Sequence, residues 1–485
     1  MLYHSTRGRN HLVDSAQAVL QGLAPDGGLY MPQQLPLFDW EACLREESLG
    51  MSRRILSALL PDIPNMKELV HRAYTGKFGA PDLTPTVPVG DFSVLELFHG
   101  PTSAFKDVAL CMLPQLLTAA KREKGIGDKI LILTATSGDT GKAALAGFQD
   151  VDGVGICVFY PHGGVSKVQR AQMVTQEGNN VTVCAVKGNF DDAQTGVKSI
   201  FAACERDQLL AGKGVRLSSA NSINIGRLAP QIMYYFKAYR DLLDRGEIEL
   251  GDEVNFAVPT GNFGDILAGY FAKRLGLPVG RLICASNANN VLTDFIRTGI
   301  YDRRRPLHKT VSPSMDILVS SNLERLLYLL SGDTDLVAGL MTDLATKGSY
   351  TVPDGLKQAV QNEIWADFCE DAGAKETIAK VWKSHRYLCD PHSATGWAAA
   401  ENYVTQTGDH RPVVVLATAS AYKFPAAVLE AIGGDVSGDE FAQMEALQRL
   451  TGCMIPANLA GLQGKAERHL GVIQKEEMLP FVLGL

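Results

Sequence analysis

One lysine stands where lysines are costly. Lys106 follows His99-Gly100-Pro101-Thr102-Ser103-Ala104-Phe105 and precedes Asp107. The apolar run Val108-Ala109-Leu110-Cys111-Met112-Leu113 comes next and reads as a buried helix. Before the turn, Leu95-Glu96-Leu97-Phe98 reads as the end of a strand. An ammonium at the edge of an apolar core is strongly disfavoured unless it is paired or neutralised. Two readings fit. Either the amine condenses with an aldehyde as a covalent catalyst, or its stem snorkels to water from a helix start.

Four further stretches carry residue types suited to binding, three of them to anions. Thr136-Ser137-Gly138-Asp139-Thr140-Gly141-Lys142 runs from a strand through a tight turn into a helix. Free backbone N–H groups and hydroxyls at a helix N-terminus suit an anion. The same residues could equally be a capped helix start, with Ser137 or Asp139 as the cap. A P-loop is excluded, because position 136 is Thr and position 143 is Ala. Val258-Pro259-Thr260-Gly261-Asn262-Phe263-Gly264-Asp265 repeats the arrangement with two glycines, which let the backbone wrap an anion closely. It is not G-x-G-x-x-G, so a dinucleotide is disfavoured, and a plain connecting turn is the alternative. Val413-Val414-Val415-Leu416-Ala417-Thr418-Ala419-Ser420 is a buried strand ending in hydroxyls. Thr418 there either hydrogen-bonds a ring nitrogen or caps the next helix. Finally, Ser219-Ala220-Asn221-Ser222-Ile223-Asn224-Ile225-Gly226-Arg227 gathers amides, hydroxyls and one guanidinium. Arg227 could clamp a phosphate, and a solvated loop is the alternative.

The elements that must position these loops alternate regularly. Apolar runs at 129–136, 155–160, 181–186, 214–218, 254–258, 281–285 and 412–417 read as strands, with helices between them over 165–176, 191–206, 228–243 and 266–275. Continuous apolar strands between helices imply α/β architecture, with parallel sheets covered on both faces and ligands at the strands' carboxyl ends. Residues 1–79 read as short helices and loops, with helices over 51–60 and 66–74. Residues 79–90, with Pro81, Pro85 and Pro88, read as an extended linker. Residues 303–380 read as mostly helical, and the last 50 or so residues as one or two amphipathic helices.

The totals narrow the classes. The chain has 485 residues, more than one compact unit on size alone. Its net charge of −7 gives no footprint for nucleic acid. No run of eighteen apolar residues and no secretory h-region is seen. The nine cysteines form no C-x-x-C pair, which argues for a reducing compartment and against zinc or a disulfide framework.

Taken in order, these stretches resemble those of threonine synthase, a pyridoxal-phosphate enzyme family of the tryptophan-synthase-β fold type. Ser5-Thr6-Arg7-Gly8 and Gly22-Leu23-Ala24-Pro25-Asp26-Gly27-Gly28-Leu29 look like that family's N-terminal domain, and His99 to Asp107 looks like its cofactor-lysine motif. The resemblance covers essentially the whole length. It implies fold type II, with two doubly wound parallel-sheet subdomains behind a small N-terminal domain. The expected units are 1–90, with the Pro-rich linker, 91–435 as the catalytic domain (smaller subdomain about 100–190), and 436–485 as a helical segment.

Residue by residue, the resemblance implies that Lys106 forms the cofactor imine and shuttles protons. Ser137 and Thr140 would bind the substrate carboxylate, and Asp139 would stand beside the ring hydroxyl. Gly261, Asn262, Phe263, Gly264 and Asp265 would cradle the cofactor phosphate, Thr418 would face the pyridine nitrogen, and Asn221, Ser222 and Arg227 would grip the substrate phosphate. Two stretches depart from the family's common forms. In Tyr160-Pro161-His162-Gly163-Gly164-Val165-Ser166-Lys167, Gly164 replaces a basic residue and Lys167 a proline; Ser420-Ala421-Tyr422 stands for His-Pro-Ala. The activity implied is conversion of O-phospho-L-homoserine and water to L-threonine and phosphate, in the cytoplasm, by a monomer or homodimer with neither nucleic acid nor membrane as partner and no metal. The alternatives are a phospholyase giving 2-oxobutyrate and a non-catalytic phosphate-binding module.

Overall fold

Buried runs of Val, Ile and Leu set the frame of the molecule, seen here in a computed structural model describing residues 1–136 and 138–485. Among the described residues, one sheet has six strands in the order Ile364–Phe368, Val279–Ser286, Val254–Pro259, Val413–Ala417, Phe92–Glu96, Thr86–Val89. A second has five, in the order Val472–Ile473, Val181–Val186, Val154–Pro161, Lys129–Ala135, Val215–Ser218. All pairings in both are parallel except Thr86–Val89 against Phe92–Glu96. Every residue of Val154–Pro161, Val254–Pro259 and Val413–Ala417 is buried, as strands covered on both faces must be.

The expected strands and helices of the central alternation are present, with several differences at their margins. Residues 79–90 are not simply a linker, because Thr86–Val89 is a strand. Pro88 is tolerated there because the strand lies at a sheet edge, where a missing N–H breaks no inner ladder. Within 303–380 the strand Ile364–Phe368 went unread, being five residues long with Asp367 among them. Residues 1–79 contain a three-stranded antiparallel sheet, ordered Gly8–Asp14, Leu2–Ser5, Tyr30–Pro32, as well as helices. The helix expected over 228–243 is divided by a 3-10 turn, Ala229–Gln231, at Pro230. Beyond the helix Glu440–Thr451, the C-terminal segment returns as the strand Val472–Ile473 and the helix Met478–Leu483.

The helix Lys106–Glu123 runs through the core and packs tightly on Asp139–Phe148. Pro114 lacks an N–H, which leaves the Leu110 carbonyl without its helix donor. The bare backbone of Gly147 fills that place; a Cβ there would stand 2.0 Å from the Leu110 oxygen.

Both departures from the family's common forms are absorbed by local bonds. The N–H of Lys167, which a proline would lack, donates to Glu440 Oε1 at 3.1 Å, and Val168 N–H donates to its Oε2 at 3.0 Å. Ser420 Oγ accepts from Tyr422 N–H at 3.3 Å, and the Tyr422 hydroxyl donates to the Cys453 carbonyl at 2.5 Å.

Candidate active site

The Asp107 side chain folds the turn before Lys106. Its Oδ2 accepts from Thr102 N–H at 2.8 Å, and its Oδ1 takes the Thr102 hydroxyl. Ser103 adopts φ 57°, and its carbonyl accepts from Ser420 N–H at 3.1 Å. Phe105 N–H donates to the Thr418 carbonyl at 2.8 Å, and Ala104 bridges Ala419. The turn is thereby sewn to the end of the strand Val413–Ala417, which sets Thr418 beside Lys106. The cap on the following 3-10 turn is Ser420, not Thr418.

Lys106 is 9% exposed, and its ammonium lies 4.7 Å from the centre of the Phe105 ring. Burial lowers its pKa to about 8, Asp139 and Asp265 oppose that shift, and Lys423 and Arg227 add to it. Those same groups mark what the fold has collected around the amine: Asp139, Lys423, Arg227 and Asp265.

Asp139 opens the helix Asp139–Phe148 after Gly138, which takes φ 148°. Asp139 is therefore the first residue of the helix and not its cap, a position held by Gly138. Thr136 Oγ1 instead accepts from Gly138 and Gly141 N–H at 3.0 and 2.9 Å. The Asp139 carboxylate meets Lys423 Nζ at 2.7 Å, Gln169 Nε2 at 3.2 Å and Ser314 Oγ at 3.3 Å. Burial alone would raise its pKa, but the ammoniums of Lys423 and Lys106 prevail and hold it well below the usual carboxylate range. Lys423 also donates to the Thr102 carbonyl at 3.1 Å. Thr140 follows in the first helical turn, half-buried, while Ser137 lies outside the described residues.

The turn Gly261-Asn262-Phe263 leads into the helix Gly264–Arg274, with Phe263 in the left-handed region at φ 64°. A Cβ at Gly264 would be in ordinary contact with Asn322 Nδ2 at 3.4 Å and with Gln231 Nε2 and Ser222 Cβ at 3.9 Å. That Asn322 amide donates to the carbonyls of Ser222 and Asn262, both at 3.2 Å. Arg325, fully buried, holds Asn322 Oδ1 at 2.5 Å and the carbonyls of Ile223 at 2.5 Å and Tyr30 at 3.3 Å. Asp265 Oδ1 accepts from the hydroxyls of Tyr234 and Tyr235, while its Oδ2 is buried with no hydrogen-bond partner among the described residues. Burial pushes its pKa up to about 7 against the pull of Tyr234, Lys106 and Tyr235.

Arg227, 6% exposed, donates to the Ala220 carbonyl at 2.7 Å, and burial lowers its pKa to about 10. Asn221 is exposed and folds its Oδ1 back onto Ser222 N–H at 2.6 Å, while Ser222 is buried.

Charge decides what this site can hold. Lys106, Lys423 and Arg227 are buried cations; Asp139 is held ionised beside them, while burial raises the carboxyls of Asp107 and Asp265. Gathered buried cations call for an anionic ligand. Polar side chains gathered around Gly264, the helix N-terminus behind it and a neutralisable amine whose charge Asp265 and Arg227 feel fit the phosphate and aldehyde of pyridoxal phosphate.

The sequence reading missed Lys423, Gln169, Ser314, Asn322, Arg325 and the pair Asp390–His392, which bonds Ser314. Lys423 carried a signal, being a lysine between Tyr422 and Phe424 in an apolar stretch; the others reach the site only through the fold.

A parallel-sheet frame with a buried lysine opposite a glycine turn defines the class of pyridoxal-phosphate-dependent enzymes, whose family model matches residues 79–419. Models for the threonine synthase N terminus and the threonine synthase C-terminal region match 2–74 and 393–477. The threonine synthase of Pseudomonas aeruginosa is 40% identical, over 97% of this chain and 98% of its own. The structure of a threonine synthase from Brucella melitensis with pyridoxal phosphate bound superposes with a TM-score of 0.88 at 38% identity, covering 100% of this chain and 98% of that one. Human threonine synthase-like 1 is 37% identical over 86% of this chain, and the match spans 58% of that longer protein. The chain belongs to the threonine synthase family of pyridoxal-phosphate-dependent enzymes.

Proposed function

We propose that this chain binds pyridoxal phosphate and converts O-phospho-L-homoserine and water to L-threonine and phosphate. The observation that carries the reading is the buried Lys106, its pKa lowered to about 8, with Asp139, Arg227 and the Asp265 end of the glycine turn all acting on its charge. When bound, the cofactor supplies the electron sink that makes the substrate's Cα and Cβ protons removable.

The chain's own residues supply the rest. Lys106, about half neutral at pH 8, is suited to remove the proton at Cα, to carry the one it takes from Cβ to Cγ once phosphate has left, and to return one to Cα after water adds its hydroxyl at Cβ. Arg227, Ser222 and Asn221 hold the phosphate that leaves from Cγ, and a desolvated guanidinium stabilises that charge more than an exposed one would. Thr140 and Ser137 bind the substrate carboxylate. The backbone of Gly261, Asn262, Phe263, Gly264 and Asp265 would hold the cofactor phosphate, Asp139, its charge balanced by Lys423, would serve the ring hydroxyl, and Thr418 would serve the ring nitrogen.

The proposed units keep a catalytic body ending near 435 and a C-terminal segment from 436, with the first break set before the strand Thr86–Val89. The proposed setting is biosynthetic and cytoplasmic, as a monomer or homodimer. No helix among the described residues is long and apolar enough to cross a membrane.

The test follows the visible band of the purified protein before and after borohydride, with Lys106→Ala alongside. O-phosphohomoserine is then added, and phosphate and threonine are measured in one sample. A reducible band lost in the variant, with threonine equal to phosphate, is the expected result. Phosphate with 2-oxobutyrate would make the chain a phospholyase, and no band after adding pyridoxal phosphate would overturn the reading.

A further inference from the structure

Asp390 caps the helix Pro391–Thr407 and is 1% exposed, and among the described residues no lysine or arginine pairs with it. Its Oδ2 accepts the backbone N–H of His392 at 3.0 Å and lies 2.6 Å from His392 Nδ1; its Oδ1 accepts Ser393 N–H at 3.1 Å and the Ser393 hydroxyl. On the other edge of the imidazole, Nε2 accepts the backbone N–H of Ser314 at 3.1 Å. A nitrogen accepting an N–H carries no proton of its own, so the ring proton sits on Nδ1 and is donated to Asp390. The His392 ring is 2% exposed and packs 4.9 Å from the ring of Phe424 at 59°.

Both faces of this histidine lead to the cofactor site. Through Ser314 it reaches two parts at once. The Ser314 carbonyl would stand 2.9 Å from a Cβ on Gly261, so this backbone is the wall behind the phosphate turn. The Ser314 hydroxyl meets Asp139 Oδ2 at 3.3 Å. Through Phe424 the ring leans on the segment whose preceding residue, Lys423, holds Asp139 Oδ1 at 2.7 Å. Resting on the proposed function above, we propose that His392, oriented by Asp390, is a positioning residue that fixes the spacing between the phosphate turn and Asp139 by clamping Ser314. It touches neither the reacting amine nor Asp139 itself. Small displacements of a group facing the cofactor are costly, because the site must meet both the phosphate and the ring in one rigid geometry.

The test compares the parent holoenzyme with His392→Phe, which keeps an aromatic ring against Phe424 and removes both ring hydrogen bonds, and with His392→Gln, whose amide can still donate and accept. The readouts are the dissociation constant for pyridoxal phosphate, the pH midpoint of its visible band, kcat and KM. In His392→Phe the cofactor should bind between about tenfold and a hundredfold more weakly. The band's midpoint should shift, kcat should fall more than KM rises, and Gln should recover part of each. A His392→Phe protein that melts lower but binds and titrates the cofactor as the parent does would overturn the proposal. If that variant does not fold, nitrogen NMR of the parent decides: His392 Nε2 without a proton is expected, and a protonated Nε2 overturns it. A parent lacking any borohydride-reducible band would overturn the functional reading itself, whereas a parent with the band and variants identical to it overturns the role of His392 alone.

Discussion

At the scale of the residue, the chemistry turns on how a buried amine is kept reactive. Lys106 titrates near pH 8 because burial penalises the ammonium, and Lys423 and Arg227 add repulsion that Asp139 and Asp265 do not cancel. Capture of pyridoxal phosphate by protein freed of cofactor needs the neutral amine, whose fraction rises with pH. Its rate should therefore climb with a midpoint near 8 rather than at the ordinary lysine value of 10.5. In Lys423→Met a repelling charge is gone and Asp139 is left to Lys106, so the midpoint should move upward. Stopped-flow absorbance at the visible band checks both, and an unchanged midpoint in Lys423→Met would remove Lys423 from the account. Lys106 itself was legible in the sequence, because its chemical oddity is local. Lys423 was not, because its partner Asp139 lies 284 positions away.

At the scale of the element, glycines show which contacts the fold cannot loosen. Gly147→Ala would place a methyl 2.0 Å from the Leu110 oxygen, a backbone atom that can move only with its helix. Gly339, inside the exposed helix Thr334–Lys347, has nothing within 4 Å. The same substitution should act with opposite signs. Gly147→Ala should destabilise by about 1–3 kcal/mol or more, and Gly339→Ala should stabilise by up to about 1 kcal/mol. Urea melts of both variants test this; Gly147→Ala at parent stability would mean the two helices do not pack as described. The central strands were legible because a parallel strand buried on both faces is apolar without interruption. The edge strands Thr86–Val89 and Ile364–Phe368 were not, since an edge tolerates Pro88 in one case and Asp367 in the other.

At the scale of the whole molecule, the C-terminal segment holds distant parts together. Asn458 donates to the Pro101 carbonyl at 2.9 Å and bonds the Ser103 hydroxyl, so it braces the left-handed turn before Lys106. Glu440 receives the helix start at Lys167 and Val168. Val472–Ile473 pairs with the edge of Val181–Val186, and Met478 and Val482 pack with Phe159 and Val186. A chain ending at residue 470 should lose roughly 3–6 kcal/mol from those two side chains alone, at about 1.5–3 kcal/mol each. It should also expose an unpaired strand edge. A lower melting temperature with aggregation in light scattering is expected, and a melt matching the full chain would show that the segment is dispensable.

By itself the sequence determined the α/β class and singled out Lys106, the turns at 136–142 and 258–265 and the late hydroxyl strand. Each of those rests on neighbours within a few positions: a periodicity, a pair of glycines, a lysine among apolar residues. Only the tertiary structure decided that Lys423 balances Asp139, that Arg325 and Asn322 tie the phosphate turn to the Asn221–Arg227 stretch and to Tyr30, and that His392 stands behind Ser314. Those contacts join residues far apart along the chain whose burial, and therefore whose need for a partner, does not exist until the two sheets close around them.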